Sequence, residues 1–151
     1  MLRKFSSVSI SPKSYNNIFG VPLSLFNLKH SDEFGILEVG MDKKGEIDNL
    51  TNIIKPNVGL ITNINYAHAK NFKNIKQIAL AKAEIIKNIL ADGFIVLNAD
   101  DSFFKLHKKI ALDNKINVIS FGIKSKKANV NLLTIKKVKK VFKIKVKIND
   151  K

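Results

Sequence analysis

Phe34-Gly35-Ile36-Leu37-Glu38-Val39-Gly40-Met41-Asp42-Lys43-Lys44-Gly45-Glu46-Ile47 decides the fold class. An apolar run that begins at Phe34 reaches a lone carboxylate at Glu38. Two glycines, Gly40 and Gly45, then separate it from an acidic helix start at Glu46. A strand ending this way delivers one acid to the carboxyl edge of an α/β sheet, where phosphates and metals bind. The expectation is a buried strand over residues 34–39 that presents Glu38 as a ligand.

Outward from that stretch, apolar runs at residues 7–10, 58–64, 94–98 and 117–121 read as further strands. Helical periodicity marks residues 21–28, 46–54, 75–90 and 102–114. Strands alternating with helices of this length predict an α/β fold, a mostly parallel sheet flanked by helices. Pro22 sits where a first helical turn accepts proline, and Gly93 stands at a helix stop. Beyond Phe121 the pattern changes. Residues 130–133 and 138–148 alternate apolar side chains with lysine, which predicts a C-terminal antiparallel β-hairpin within residues 124–151. Lysines on its outer face would solvate it and discourage edge pairing.

The chain has 151 residues, enough for one domain with its own core. It has no cysteine, which excludes disulfides and thiolate zinc sites. No apolar run approaches the roughly 20 residues that span a bilayer, so no membrane partner is expected. The first 11 residues are basic and serine-bearing but lack the continuous apolar segment of a secretory signal, so the expected location is cytoplasmic. A formal charge of +15 raises the question of nucleic acid, yet Arg3 is the only arginine. Base and phosphate recognition leans on the planar guanidinium fork that lysine lacks. The lysines are spread along the chain beside abundant Ile and Asn, residues with A/T-rich codons. Genome bias explains the charge better than a nucleic-acid partner does.

Several residues fall at successive strand ends: Glu38, Asn63 with His68 in the loop after it, and Asn98. Glu and His from neighbouring strand ends can bind one divalent cation, although Mg²⁺ prefers oxygen. Any one of them alone is weak, since a lone histidine is more often a loop or core residue than a ligand. Lys82 is a separate puzzle. Ile75, Ile78, Ala79, Ile85, Ile86 and Ile89 form one apolar stripe, and Lys82 lies on it, four residues from both Ile78 and Ile86. Such a lysine either snorkels to solvent or has a buried acidic or metal partner.

Five spaced motifs, in order, carry a family resemblance. Asn16-Asn17-Ile18-Phe19-Gly20-Val21-Pro22-Leu23 is similar to an N-N-x-x-G-x-P-L segment of bacterial Mur ligases. Glu38-Val39-Gly40-Met41 with Gly45-Glu46-Ile47 resembles their E-x-G-M-x-x-x-G-E-I block. Thr62-Asn63-Ile64 followed by Ala67-His68, then Ala81-Lys82-Ala83-Glu84-Ile85, then Leu97-Asn98-Ala99-Asp100-Asp101 resemble the later blocks. The branch most resembled adds D-alanyl-D-alanine to UDP-N-acetylmuramoyl-tripeptide; the branches that add single amino acids are the alternative within the family.

The resemblance implies an ATP-dependent amide-bond ligase of peptidoglycan synthesis. It would work through an acyl phosphate, with ATP and Mg²⁺ as cofactors and UDP-N-acetylmuramoyl-peptide and D-alanyl-D-alanine as partners. By carry-over, Glu38 and His68 are ligands of one Mg²⁺. Lys82 is a lysine carbamylated to hold the other, Asn98 contacts adenine, and Asn16 and Asn17 lie where the nucleotide-sugar approaches. The chain departs from the family in one respect. No stretch reads G-x-x-x-x-G-K-[ST], the loop that cradles phosphates. The expectation is therefore a partial central ATP-binding domain. It would lack the phosphate-loop strand and helix and the flanking amino- and carboxy-terminal domains, would be inactive alone, and would have the missing ligase segments as partners. The rival from another class is a non-enzymatic basic binding module, or relic, derived from a ligase core. A Rossmann dinucleotide domain fails for want of the glycine fingerprint.

Overall fold

In chain order the elements are β1 (Val8–Ile10), α1 (Gly20–Phe26), β2 (Phe34–Ile36), α2 (Glu46–Ile54), β3 (Val58–Ile61) and α3 (Ile75–Lys82). A 3₁₀ segment over Ala83–Asn88 continues α3, and β4 (Phe94–Asn98), α4 (Phe104–Asp113), β5 (Asn117–Gly122), β6 (Val130–Val138) and β7 (Val141–Ile148) follow. The computed structural model describes residues 2–66, 71–139 and 141–148. Among these, no helix is long and apolar enough to cross a membrane.

The strands form two sheets. β1 and β2 pair in parallel as a two-stranded unit, and β3-β4-β5-β6-β7 form a five-stranded sheet in that order. The pairs from β3 to β6 are parallel, and β6-β7 is the antiparallel hairpin. Strand order equals chain order through β3, β4 and β5. Right-handed crossovers therefore lay α3, its 3₁₀ continuation and α4 on the same face. On that face Ile61, Ile95 and Leu97 are buried, and a side chain at Gly59 would strike Ile85, Ile89 and Ile95. The opposite face is open: Val58 and Leu60 are more than half exposed. Met41, Ile47, Ile64, Ile78, Ala81 and Ile86 join the same buried cluster.

Several expectations need correcting. The strand at residues 34–39 stops at Ile36 and is exposed, not buried, and it lies in a different sheet from β3. Its partner sets its length. Ile10 pairs with Ile36 and the Ser11 N–H still donates to the Ile36 carbonyl, but the Glu38 N–H then takes Ser11 Oγ in place of a backbone carbonyl, and the ladder ends there. The strand at 58–64 stops at Ile61. The Asn98 side chain takes the carbonyl of Thr62. The helix at 75–90 is α-helical only to Lys82, and Glu84 and Asn88 reach across from its 3₁₀ continuation to α2. Of the hairpin strands, β6 runs further than the expected 130–133, to Val138, and β7 starts later than the expected 138, at Val141. They meet across a two-residue connection that begins at Lys139, whose φ is 55°. That left-handed value suits the primed turns of tight hairpins.

Candidate functional site

Two hydrogen-bonded clusters hold the residues singled out in the sequence. The first surrounds Glu38. After Ile36 the chain leaves its ladder, and the loop that includes Ser11 and Asn16 takes over the hydrogen bonding. The Glu38 N–H donates to Ser11 Oγ at 3.2 Å, and the Gly40 N–H donates to the Asn16 carbonyl at 2.7 Å. Asn16 Nδ2 donates to Glu38 Oε1 at 3.2 Å. Oε2 of this exposed carboxylate has no protein donor among the described residues. Asn17 does a different job from its neighbour. Its Oδ1 accepts from the Phe19 and Gly20 N–H groups at 3.1 and 2.9 Å, closing the start of α1.

The second cluster is the carboxyl end of β3. Three consecutive residues there are held by three side chains. Asn98 Nδ2 donates to the Thr62 carbonyl at 3.0 Å, and Lys82 Nζ donates to the Asn63 carbonyl at 3.4 Å. Asp101 Oδ2 accepts from the Ile64 N–H at 2.8 Å. Lys82 lies on the apolar stripe read from the sequence. It is half-buried between fully buried Ile78 and Ile86 and reaches out to a backbone carbonyl. Asn98 is doubly engaged, because its Oδ1 also accepts from the Asp100 N–H at 2.9 Å. One amide hydrogen and one lone pair remain for a ligand. Asp100 accepts from Ile123, Lys124 and Ser125 N–H groups, and these bonds, that from Lys124 foremost, hold its pKa below the usual aspartate value. His68 lies outside the described residues.

A residue the sequence reading passed over joins the clusters. Glu84, two residues after Lys82, is buried at 8% exposure. Its carboxylate accepts from the Gly45 N–H at 2.9 and 3.0 Å and from the Asp48 N–H at 3.2 Å. It thereby caps α2 from a distance and ties the Glu38 loop to the Lys82 helix. The signal was present: Gly45, at φ 90°, gives α2 an N-cap with no side chain, so the helix needs an acceptor from elsewhere. Glu46 turns back to accept from the Asp42 and Lys43 N–H groups, and the Asp42 bond leads in lowering its pKa.

Magnesium is ordinarily held by one or two carboxylates, with waters and substrate phosphates completing its shell. Glu38, exposed and with one uncommitted oxygen, fits that donor type. Lys82 as an ammonium does not, and would need conversion to a carboxylate. Among the described residues, no three His, Asp or Glu side chains gather into a metal-holding cluster.

Comparison with known proteins gives a consistent picture. The Mur ligase middle domain matches over residues 1–151. UDP-N-acetylmuramoyl-tripeptide--D-alanyl-D-alanine ligase of Buchnera aphidicola is 35% identical over 127 residues, covering 84% of this chain and 28% of the relative. The enzyme of the same name from Rickettsia prowazekii is 34% identical over 145 residues, covering 95% and 32%. A crystal structure of MurF from Acinetobacter baumannii superimposes with a TM-score of 0.86 at 28% identity, over 96% of this chain and 31% of that one. MurF of Thermotoga maritima, solved with ADP, shares the fold at a TM-score of 0.77 and 24% identity. The chain thus spans about a third of the length of the relatives it matches.

Proposed function

We propose, because the chain belongs to the Mur ligase family and carries that family's middle domain, that it provides the metal-binding half of an ATP site. The ligase would join D-alanyl-D-alanine to UDP-N-acetylmuramoyl-tripeptide in the cytoplasm. The observation that most supports this is the likeness, over 84% and 95% of the chain, to two ligases named for that reaction. It is supported further by the exposed, half-committed carboxylate of Glu38 and by the gathering of Lys82 and Asn98 at the end of β3.

In this reading ATP phosphorylates the terminal carboxylate of the nucleotide-peptide, and the amine of the dipeptide displaces phosphate to form the amide. Mg²⁺, when bound, neutralises charge on the transferring phosphoryl group. Glu38 and His68 would hold one ion. Lys82 would hold the other after its neutral amine adds to CO₂, forming an N–C bond and releasing one proton. Asn98 would offer its remaining amide hydrogen and lone pair to adenine, and Asn16 and Asn17 line the approach of the nucleotide-sugar. These 151 residues contain no G-x-x-x-x-G-K-[ST] stretch. In this reading a phosphate cradle supplied from outside these residues would complete the site, and without one the chain would be inactive.

The test is phosphate release dependent on both substrates, measured with the protein at its natural length. Lys82→Ala abolishes it, and mass spectrometry without acid finds one CO₂ on Lys82. Full activity of the variant refutes the carbamate.

One observation favours a second reading. Lys136 stands directly opposite Lys143 in the hairpin, with Lys145 and Lys147 further along the same face, all exposed. A polyanion would relieve that repulsion. This reading requires salt-sensitive DNA binding that is indifferent to Glu38→Gln.

A further inference from the structure

We infer that Asn16 is a positioning residue for Glu38, fixing the orientation in which that carboxylate meets a divalent cation. The inference rests on the proposed role of Glu38 as a Mg²⁺ ligand and divides the work of two adjacent asparagines. Asn17 spends its Oδ1 on the start of α1, whereas Asn16 turns the other way. Its carbonyl takes the Gly40 N–H, and its amide donates to Glu38 Oε1. Backbone and side chain thus grip the same turn at both ends.

Gly40 makes the grip possible. A Cβ there would stand 3.0 Å from Asn16 Cγ and 3.1 Å from Nδ2, tighter than ordinary packing. With Ser11 Oγ on the Glu38 N–H, the backbone at Glu38 is held as well. An exposed glutamate otherwise samples several rotamers. A donor on Oε1 selects one and leaves Oε2 as the coordinating atom. Partners of this kind, one bond removed from a metal, typically change metal affinity by about 10–100-fold.

The experiment uses the protein at its natural length. Mn²⁺ binding is followed by electron paramagnetic resonance, and steady-state kinetics are run in parallel. Asn16→Ala weakens Mn²⁺ binding about tenfold and raises the Mg²⁺ concentration for half-maximal rate. It leaves the KM for D-alanyl-D-alanine unchanged. Asn16→Asp, which sets a like charge against Glu38, is worse than alanine, an order that packing alone would not produce. Gly40→Ala, which displaces Asn16 without removing it, weakens Mn²⁺ binding in the same direction. Asn17→Ala does not, and thermal melts confirm that each variant is folded.

If Asn16→Ala raises the nucleotide-peptide KM and leaves Mn²⁺ affinity intact while Glu38→Gln weakens it, Asn16 is a substrate contact and the inference falls alone. If Glu38→Gln also leaves Mn²⁺ affinity intact, the proposed role of Glu38 fails and takes the inference with it.

Discussion

Glu84→Ala is the substitution with the largest expected effect on the frame of the site. Glu84 is 8% exposed and accepts from the Gly45 and Asp48 N–H groups, two of the donors that the start of α2 leaves without intrahelical partners. Hydrogen bonds to a charged group are worth about 1.5–3 kcal/mol each, and an N-cap is worth about 1 kcal/mol by itself. Desolvation of the carboxylate offsets part of this, leaving an expected loss of about 2–4 kcal/mol. For a protein of this size that is a fall in Tm of roughly 5–15 °C. Glu84→Gln keeps the shape and one acceptor and should lose about half as much. Urea unfolding followed by circular dichroism gives the stability. A fall of less than about 1 kcal/mol for the alanine variant would refute the capping argument. The same variant loosens the Gly45 turn, so under the proposed function the natural-length protein should need more Mg²⁺ for half-maximal rate even where it remains folded.

Other expectations follow from single contacts. His107 is 2% exposed, its Nε2 hydrogen-bonded with the Ala79 carbonyl, and burial pushes its pKa below 6.5. Its contribution to stability is therefore fully present above about pH 6.5 and falls as the pH drops through the lowered folded value, by up to roughly 1.4 kcal/mol per unit. Urea melts at pH 7.5 and 5.5 should show this slope, and His107→Gln should flatten it. Asp100 behaves in the same sense at lower pH. Its stabilisation is present above about 3.8 and is lost as the pH falls through its lowered value, a limb that Asp100→Asn removes from an acid-unfolding curve. If the proposed adenine contact is right, Asn98→Ala in the protein at its natural length should raise the KM for ATP about fivefold, the worth of one hydrogen bond, while the KM for the dipeptide stays unchanged. A shift in both would mean that Asn98 acts only by holding Thr62.

Much of the fold was legible because it is written locally. β4 and α2 have the boundaries their patterns predict: a short apolar run after Gly93 in one case, an acidic first turn after a glycine in the other. Where sequence reading overshot, the partner had decided. Apolar continuity through Leu37 means little for a strand whose next N–H, that of Glu38, is taken by the Ser11 hydroxyl, so the stretch expected to pair as far as Val39 yields only three paired residues. The isoleucine stripe after Lys82 has helical spacing, yet Glu84 and Asn88 are drawn to the start of α2 and the segment tightens to 3₁₀.

The candidate site shows the same division. Residue types and spacing bring Glu38, Lys82 and Asn98 to attention, but what each touches is a tertiary fact. No spacing rule joins Asn16 to Glu38 across 22 positions, or Glu84 to Gly45 across 39. Those two links matter because, among the described residues, β1-β2 and the five-stranded sheet share no strand pairing. Glu38 follows one sheet and Lys82 lies over the other, so no ladder of backbone bonds fixes their relation. It is carried by side-chain contacts, among them the Gly45–Glu84 and Asn88–Asp48 bonds and Met41, which sits in the same buried cluster as Ile64 and Ala81, neighbours of Asn63 and Lys82. The proposed metal site, assembled across such a joint, depends on these contacts for its rigidity. Substitutions at Met41 or Glu84, which carry no proposed chemistry, should therefore alter Mg²⁺ dependence before they unfold the protein.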